Sequence, residues 1–407
     1  MGFLKPITIS LSPNTEKDDI FLAFKLLFQP WKWKKGRSLE ELDKKFKNYL
    51  GLKHVFSFNS LRSALLISLK GLGFEKKDEI LLQSFTCNAA ANPIIWSGLK
   101  PVYVDCDEKT FNIDADDLKR KITKKSRAVV VQHTFGLPAD LDRISEICRQ
   151  NNLILIEDCA HSLGSVYKGR KIGTFGKISL FSFSRDKVIS SVYGGMVVTN
   201  DDFLAKKIEE FRKKINHPSY FWTFQQLLHP VLMNWLILPT YRILGKYLLI
   251  FFQWFFILSK AVHWKEKKGK KPGYFPKKLP NALAKLAVNQ FEKLDKFNVH
   301  RRRIANFYAE NLNLELLNSG HIYLRFTIKN QRAHQIIKNA WKNNLLIGDW
   351  YASPVAPRDT NLEKLYYKKG SCPTSEKLSE ETFNLPTHIN ISEKEAQEVL
   401  AFLKKFS

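Results

Sequence analysis

Cysteine, methionine and acidic residues are scarce in this chain, and each shortage narrows what it can be. The five cysteines (Cys87, Cys106, Cys148, Cys159 and Cys372) stand far apart in 407 residues with no CxxC pair. That spacing excludes a zinc ribbon and a disulfide framework, leaves no metal centre to expect, and suits a reducing cytoplasm. No basic start followed by an apolar stretch and a small-residue cleavage site opens the sequence, so export is not expected. No uninterrupted apolar run approaches the roughly 18 to 20 residues that cross a bilayer. Acidic residues number 39 against 65 lysines and arginines, a formal net charge of +26. Such a field attracts nucleotide phosphates, nucleic acid or an anionic membrane face. The basic residues are not interleaved with a nucleic-acid reading motif, so nucleic acid is not an expected partner.

What is present is a large apolar inventory, 44% of the residues, enough for two domains with a sizeable core. Between residues 51 and 200, short β-rich runs alternate with helical patterns. Strands are predicted at His54–Phe58, Glu79–Gln83, Pro101–Asp105, Ala128–His133, Leu153–Glu157, Ile178–Phe183 and Met196–Thr199. Most are apolar throughout, which predicts a mostly parallel seven-stranded sheet flanked by helices on both faces. Amphipathic stretches at Ser63–Leu72 and Asp140–Asn151 supply such helices. Beyond residue 278 the pattern changes to a long helix from Asn281 to about Asn311, a strand at His321–Ile328, and helices at Ala333–Asn343 and Glu393–Phe406. These make a smaller C-terminal α+β domain. The expected division is a large domain over 1–217 with an N-terminal helical arm, an aromatic-rich basic insertion over 218–278, and a small domain over 279–407.

Two segments carry the chemistry. Asp158 ends the apolar run LILIED, and Lys187 lies 29 positions later inside FSFSRDKVISSVYGG. Ligands collect at the carboxyl ends of strands in such sheets, where both residues fall. A lysine amine and a carboxylate bracketing one flat ring is the arrangement pyridoxal phosphate requires: the amine forms the Schiff base, and the carboxylate keeps the pyridine nitrogen protonated.

The motifs resemble those of the DegT/DnrJ/StrS sugar aminotransferases, fold type I among pyridoxal phosphate enzymes. EDCAHSLG (Glu157 to Gly164), the serine-phenylalanine run leading through Lys187 to Gly194-Gly195, the turn His133 to Asp140, and Asn384-Leu385-Pro386-Thr387-His388 occur in the family's order. The resemblance covers nearly the whole chain except roughly 218–272. It implies that Lys187 is the catalytic lysine and Asp158 the partner of the pyridinium nitrogen. Ser60, Arg62, Ser63 and Ser182 are expected to hold the phosphate, with helix capping as the rival role for Ser60 and Ser63. His161 is placed beside the ring hydroxyl and Cys87 against the ring, while His133 and Tyr351 line the substrate pocket. The resemblance further implies a homodimer that takes an amino group, expected from glutamate, to a nucleotide-linked keto sugar for glycan biosynthesis. Other readings are a related sugar dehydratase, disfavoured by the lysine itself, and a membrane-bound scaffold of the same fold without catalysis.

Four positions depart from the family pattern. Ser60-Leu61-Arg62 stands where serine-glycine-threonine is usual, Cys87 replaces a stacking aromatic residue, and Trp350 takes a usual histidine position before Tyr351. The asparagine that reaches the neighbouring subunit would fall near Phe275 or Pro276, and neither side chain can donate. The insertion is dense in Phe, Trp and Leu, and eight lysines between Lys260 and Lys278 face a single Glu266. Either it lies in the headgroup region at the inner face of a membrane, or it packs on protein.

Overall fold

The computed structural model describes residues 5–317 and 320–406. Seven strands form the central sheet: β1 (His54–Phe58), β2 (Glu79–Gln83), β3 (Lys100–Val104), β4 (Ser126–Gln132), β5 (Ile154–Asp158), β6 (Ile178–Ser182) and β7 (Gly195–Thr199). Their spatial order is β1-β7-β6-β5-β4-β2-β3, all parallel except β7, which runs antiparallel to both β6 and β1. The apolar runs are explained by burial on both faces. Within β4, Val129 and Val131 enter one apolar layer while Ala128 and Val130 enter the other, as the strand period of two dictates.

The helix Leu61–Leu72 follows β1 and lies under the same sheet edge. Ser60 caps it by accepting the Ser63 N–H at 3.1 Å, and Gly73 ends it in the left-handed region at φ 71°. Its start lies so near β7 that a Cβ on Gly195 would stand 2.2 Å from the Leu61 nitrogen and 2.3 Å from the Ser60 carbonyl carbon. Backbone atoms cannot yield as a side-chain tip can. Gly195→Ala is therefore expected to cost about 2 kcal/mol or more, seen as a lower denaturation midpoint together with weaker cofactor binding.

The smaller domain packs Ile304, Tyr308, Ile336, Phe383 and Leu400 around an antiparallel pair, Phe326–Lys329 with Thr382–Leu385. Two expectations change here. The single long helix is two, Asn281–Phe291 and Leu294–Leu312. The strand expected from His321 starts only at Phe326, because the residues before it hold the turn after β4: Leu324 donates its N–H to the Phe135 carbonyl at 2.9 Å, and His321 Nε2 lies 3.1 Å from the same oxygen.

The chain also crosses the expected domain boundaries. Ile7–Thr8 pairs with Leu345–Leu346, and Ile7 belongs to the small-domain core. Conversely, Val355, Leu365, Tyr367 and Cys372 pack with the large sheet.

The insertion divides in two. Helix Tyr220–Leu232 sinks Trp222, Leu227 and Val231 into the main core. Helix Lys246–Trp254, in contrast, buries none of its residues. The apolar stretches Tyr220–Ile237 and Tyr241–Trp254 meet at 112°, and among the described residues no single helix is long and apolar enough to cross a membrane.

Candidate active site

β5 and β6 are parallel neighbours, so their carboxyl ends open on the same side of the sheet. Asp158 is the last residue of β5, and Lys187 follows β6 by five positions. Both line one cleft of about 790 Å³ of empty space, part of it open to solvent. Arg62, Cys87, His161, Ser182, Trp350 and Tyr351 share its wall. Six of the expected cofactor and catalytic residues and one expected substrate residue are thus brought together.

Asp158 is buried, and its Oδ1 accepts the Ala160 N–H at 3.0 Å. Burial pushes its carboxyl upward, against the pull of that hydrogen bond and of Lys187. Among the described residues no cation comes within ion-pair distance of it. A buried carboxylate stays ionised only when a positive group joins it, and the protonated nitrogen of a pyridine ring meets that need. Loss of hydration lowers Lys187 to about 8, with Cys87 and Asp158 pulling the other way. The neutral amine is the nucleophile, so its fraction rises with pH through that value. Capture of added pyridoxal phosphate, followed as an absorbance change, is expected to accelerate between pH 7 and 9 with a midpoint near about 8. A midpoint near the ordinary lysine value would show that the amine is not desolvated. The cleft therefore offers a desolvated amine and an unpaired acid to one flat ligand, and the donor set fits the cofactor.

Two residues that sequence reasoning missed hold the lysine loop. Asn14 Nδ2 donates to the carbonyls of Lys187 and of Val188, the latter at 3.0 Å. The fully buried Arg301 donates to the Val188 carbonyl and to Asn14 Oδ1, both at 2.8 Å. Neither side chain lines the cleft, so both are positioning residues.

His161 is held by the Phe135 N–H, which donates to Nδ1 at 3.3 Å, while its Nε2 lies 3.4 Å from the Tyr351 hydroxyl. Burial, reinforced by Lys187 and Arg325, holds this imidazole neutral, well below its ordinary range. Trp350 replaces a usual histidine and carries cations on its ring: Lys187 Nζ lies 4.8 Å and the Arg325 guanidinium carbon 3.2 Å from its centroid. Cys87 also lines the cleft, and burial raises its thiol against the pull of Arg62, so it presents a neutral sulfur.

Three expected positions do not reach the cleft wall. Ser60 and Ser63 are buried in the cap of helix Leu61–Leu72, where Ser63 Oγ donates to Asn59 Oδ1 at 2.7 Å. Their rival role, capping, is the one the geometry displays. His133 is fully buried behind the wall, its Nδ1 accepting the Ala139 N–H and its Nε2 3.4 Å from Glu157. Glu157 also accepts N–H bonds from Gly173, Phe175 and Gly176. Although burial opposes its charge, these partners hold it below the usual carboxylate range, so the pair braces β5 behind Asp158.

The part of the wall expected to take the phosphate is tied to the insertion. Arg62 pairs through Nε with the buried Glu266 at 2.6 Å and donates to the Ala261 carbonyl at 3.1 Å. Arg185 donates to Ser259 Oγ at 2.6 Å, and the Tyr193 hydroxyl donates to the Lys260 carbonyl at 2.8 Å. Ala261 and Val262 form part of the wall. The insertion thus straps the cleft in cis, which composition did not reveal. Arg185 and Ser184 were within reach of sequence reading, because they sit between Ser182 and Lys187 in the motif itself.

A family model described as the DegT/DnrJ/EryC1/StrS aminotransferase family matches residues 14–224 and 256–404, skipping the outer part of the insertion. GDP-perosamine synthase of Caulobacter vibrioides is 35% identical over 224 residues, which are 55% of this chain and 60% of that relative. GDP-perosamine synthase of Escherichia coli O157:H7 is 27% identical over 384 residues, 92% of each chain. Among solved structures, Helicobacter pylori PseC, an aminotransferase involved in the biosynthesis of pseudoaminic acid, superposes with a TM-score of 0.75 at 21% identity, covering 98% of this chain and 99% of its own.

Proposed function

Because the chain belongs to the DegT/DnrJ/EryC1/StrS aminotransferase family, we propose that it moves an amino group from an amino acid, glutamate by preference, to the carbonyl carbon of a nucleotide-linked keto sugar used in glycan assembly. The observation that carries this reading is the shared cleft of Lys187 and Asp158 at the ends of adjacent strands. Bound pyridoxal phosphate supplies the aldehyde that stores the amino group and a ring that takes up an electron pair. Lys187 Nζ is the group that would hold the cofactor's aldehyde and would serve as the proton carrier at the reacting carbon. Asp158 would keep the ring nitrogen protonated, and its burial would magnify that effect. Ser182, Arg62 and Arg185, which line the cleft, would hold the phosphate, where charge and hydroxyl donors are needed. His161, kept neutral, would lie beside the ring hydroxyl, and Tyr351 would shape the acceptor side.

GDP-perosamine synthases among the relatives support a nucleotide-linked acceptor. Association as a homodimer and a peripheral membrane contact through 218–278 complete the reading. Incubation with glutamate and a panel of nucleotide-linked keto sugars tests it. The expected products are 2-oxoglutarate and an amino sugar in equal amounts. A deoxygenated sugar without nitrogen would instead mark a dehydratase, and no conversion across the panel would favour the scaffold reading.

A further inference from the structure

A cluster of exposed aromatic side chains is shared by two segments distant in sequence. Helix Lys17–Leu27 lies along the insertion, with the Phe24 ring 5.1 Å from Trp235 and the Phe21 ring 6.0 Å from it. On one side of this contact Phe28 and Trp31 are 66% and 71% exposed. On the other, helix Lys246–Trp254 rests Leu249 and Phe252 on Met233, Ile237 and Leu258 but has no fully buried residue, and Trp254 and Phe256 are 74% and 71% exposed. Water is a poor neighbour for so many exposed rings, and such a face calls for an occupant.

Charge decides which one. Residues 218–278 contain ten lysines and arginines and a single acid, Glu266, which is buried against Arg62. Residues 17–37 add six more basic residues against Asp18 and Asp19, both of which already pair with Lys293. A twofold contact between two copies would set this face against itself, basic rim on basic rim, and its few carboxylates, Asp18, Asp19 and Glu266, are already paired with Lys293 and Arg62. Aromatic side chains amid lysines suit the headgroup region of an anionic bilayer, where rings settle at the boundary and ammonium groups meet phosphates. The 112° bend between the two apolar stretches lets the second lie in that boundary without spanning it.

We propose that helix Lys17–Leu27 and the outer half of the insertion form one face that docks on an anionic phospholipid surface, with helix Lys246–Trp254 lying in the interface. This defines the partner and footprint of the membrane contact in the functional reading and rests on that contact, but it does not depend on transamination. Flotation of the full-length protein with phosphatidylcholine vesicles, with or without phosphatidylglycerol, tests it without any turnover. The protein is expected to float with the anionic vesicles, and to bind neutral ones roughly tenfold less tightly or weaker. Combined Phe251→Ser, Trp254→Ser and Phe255→Ser changes, none of them at the cleft wall, are expected to lower vesicle binding at least about tenfold while pyridoxal phosphate still binds. Should that variant misfold, Lys246→Glu with Lys260→Glu is expected to weaken binding to anionic vesicles and leave the residual neutral binding unchanged. Wild-type protein that stays in the solvent fraction with anionic vesicles overturns the proposal. So does undiminished binding by both variants, or a solution dimer that the serine changes dissociate and that never floats. A protein that floats but transfers no amino group would contradict the functional reading alone.

Discussion

Replacing Lys187 with alanine is expected to remove amino transfer by a factor of about 10³ or more, because one side chain supplies both the covalent attachment and the proton carrier. Two properties separate this from a folding defect. Lys187 sits in the cleft rather than in a packed layer, so thermal denaturation of the variant should stay near that of the wild type. The variant should still take up pyridoxal phosphate reversibly through Asp158 and the phosphate end. Its spectrum should be that of the free aldehyde, with no shift on adding glutamate. Appreciable turnover by the variant would assign the proton transfer to another group. Asp186 is the adjacent candidate, since it also lines the cleft.

Asp158→Asn carries the second large effect. The amide preserves shape and can still accept the Ala160 N–H, so the backbone of β5 need not move. It cannot supply the negative charge that holds the ring nitrogen protonated. Turnover is expected to fall about 10²- to 10³-fold, the scale of losing one preorganised electrostatic contact in a site shielded from water. Cofactor affinity should weaken less than turnover, a split that a merely structural residue would not give. The sign of the pH response is also fixed. In the cofactor-free protein burial raises the Asp158 carboxyl, so lowering the pH protonates it and removes the partner of the ring nitrogen. Wild-type affinity for the cofactor should therefore decline toward acid pH, and the Asn variant should lose that acid limb.

The sheet was legible because strands covered on both faces write an unbroken apolar signature, as in Ala128 to Val131, and the observed strands begin and end within two residues of expectation. Asp158 and Lys187 were legible because each sits in a motif at a strand end. Less was readable where two physical roles use the same residue type. Ser60 and Ser63 suit either a phosphate or a helix N-terminus, and only the three-dimensional arrangement puts them in the cap. His133 opens a recognisable turn, yet its partner is Glu157 in the next strand. Long-range support was invisible: Arg301 reaches Asn14 across 287 positions. The insertion shows the same limit in one segment. Trp222 and Trp254 share composition and neighbourhood, but the first is buried beside Tyr193 while the second is exposed. No local pattern separates them, because the difference lies in what the rest of the fold places beside each.

The four departures from family pattern now have locations. Arg62, in place of a small hydroxyl residue, is fixed by Glu266 from the insertion, and the Trp350 ring carries both Arg325 and Lys187. Phe275 is buried against Trp96, with ring centroids 6.0 Å apart, and so serves packing in this chain. Cys87 remains at the wall, where it offers a small uncharged sulfur instead of a ring.

Borohydride reduction of the wild-type protein after addition of pyridoxal phosphate, followed by peptide mapping, addresses the central claim most directly. A pyridoxyl mass confined to Lys187, at one label per chain, is the predicted result. A label spread over the surface lysines, with Lys187 unmodified, would contradict it.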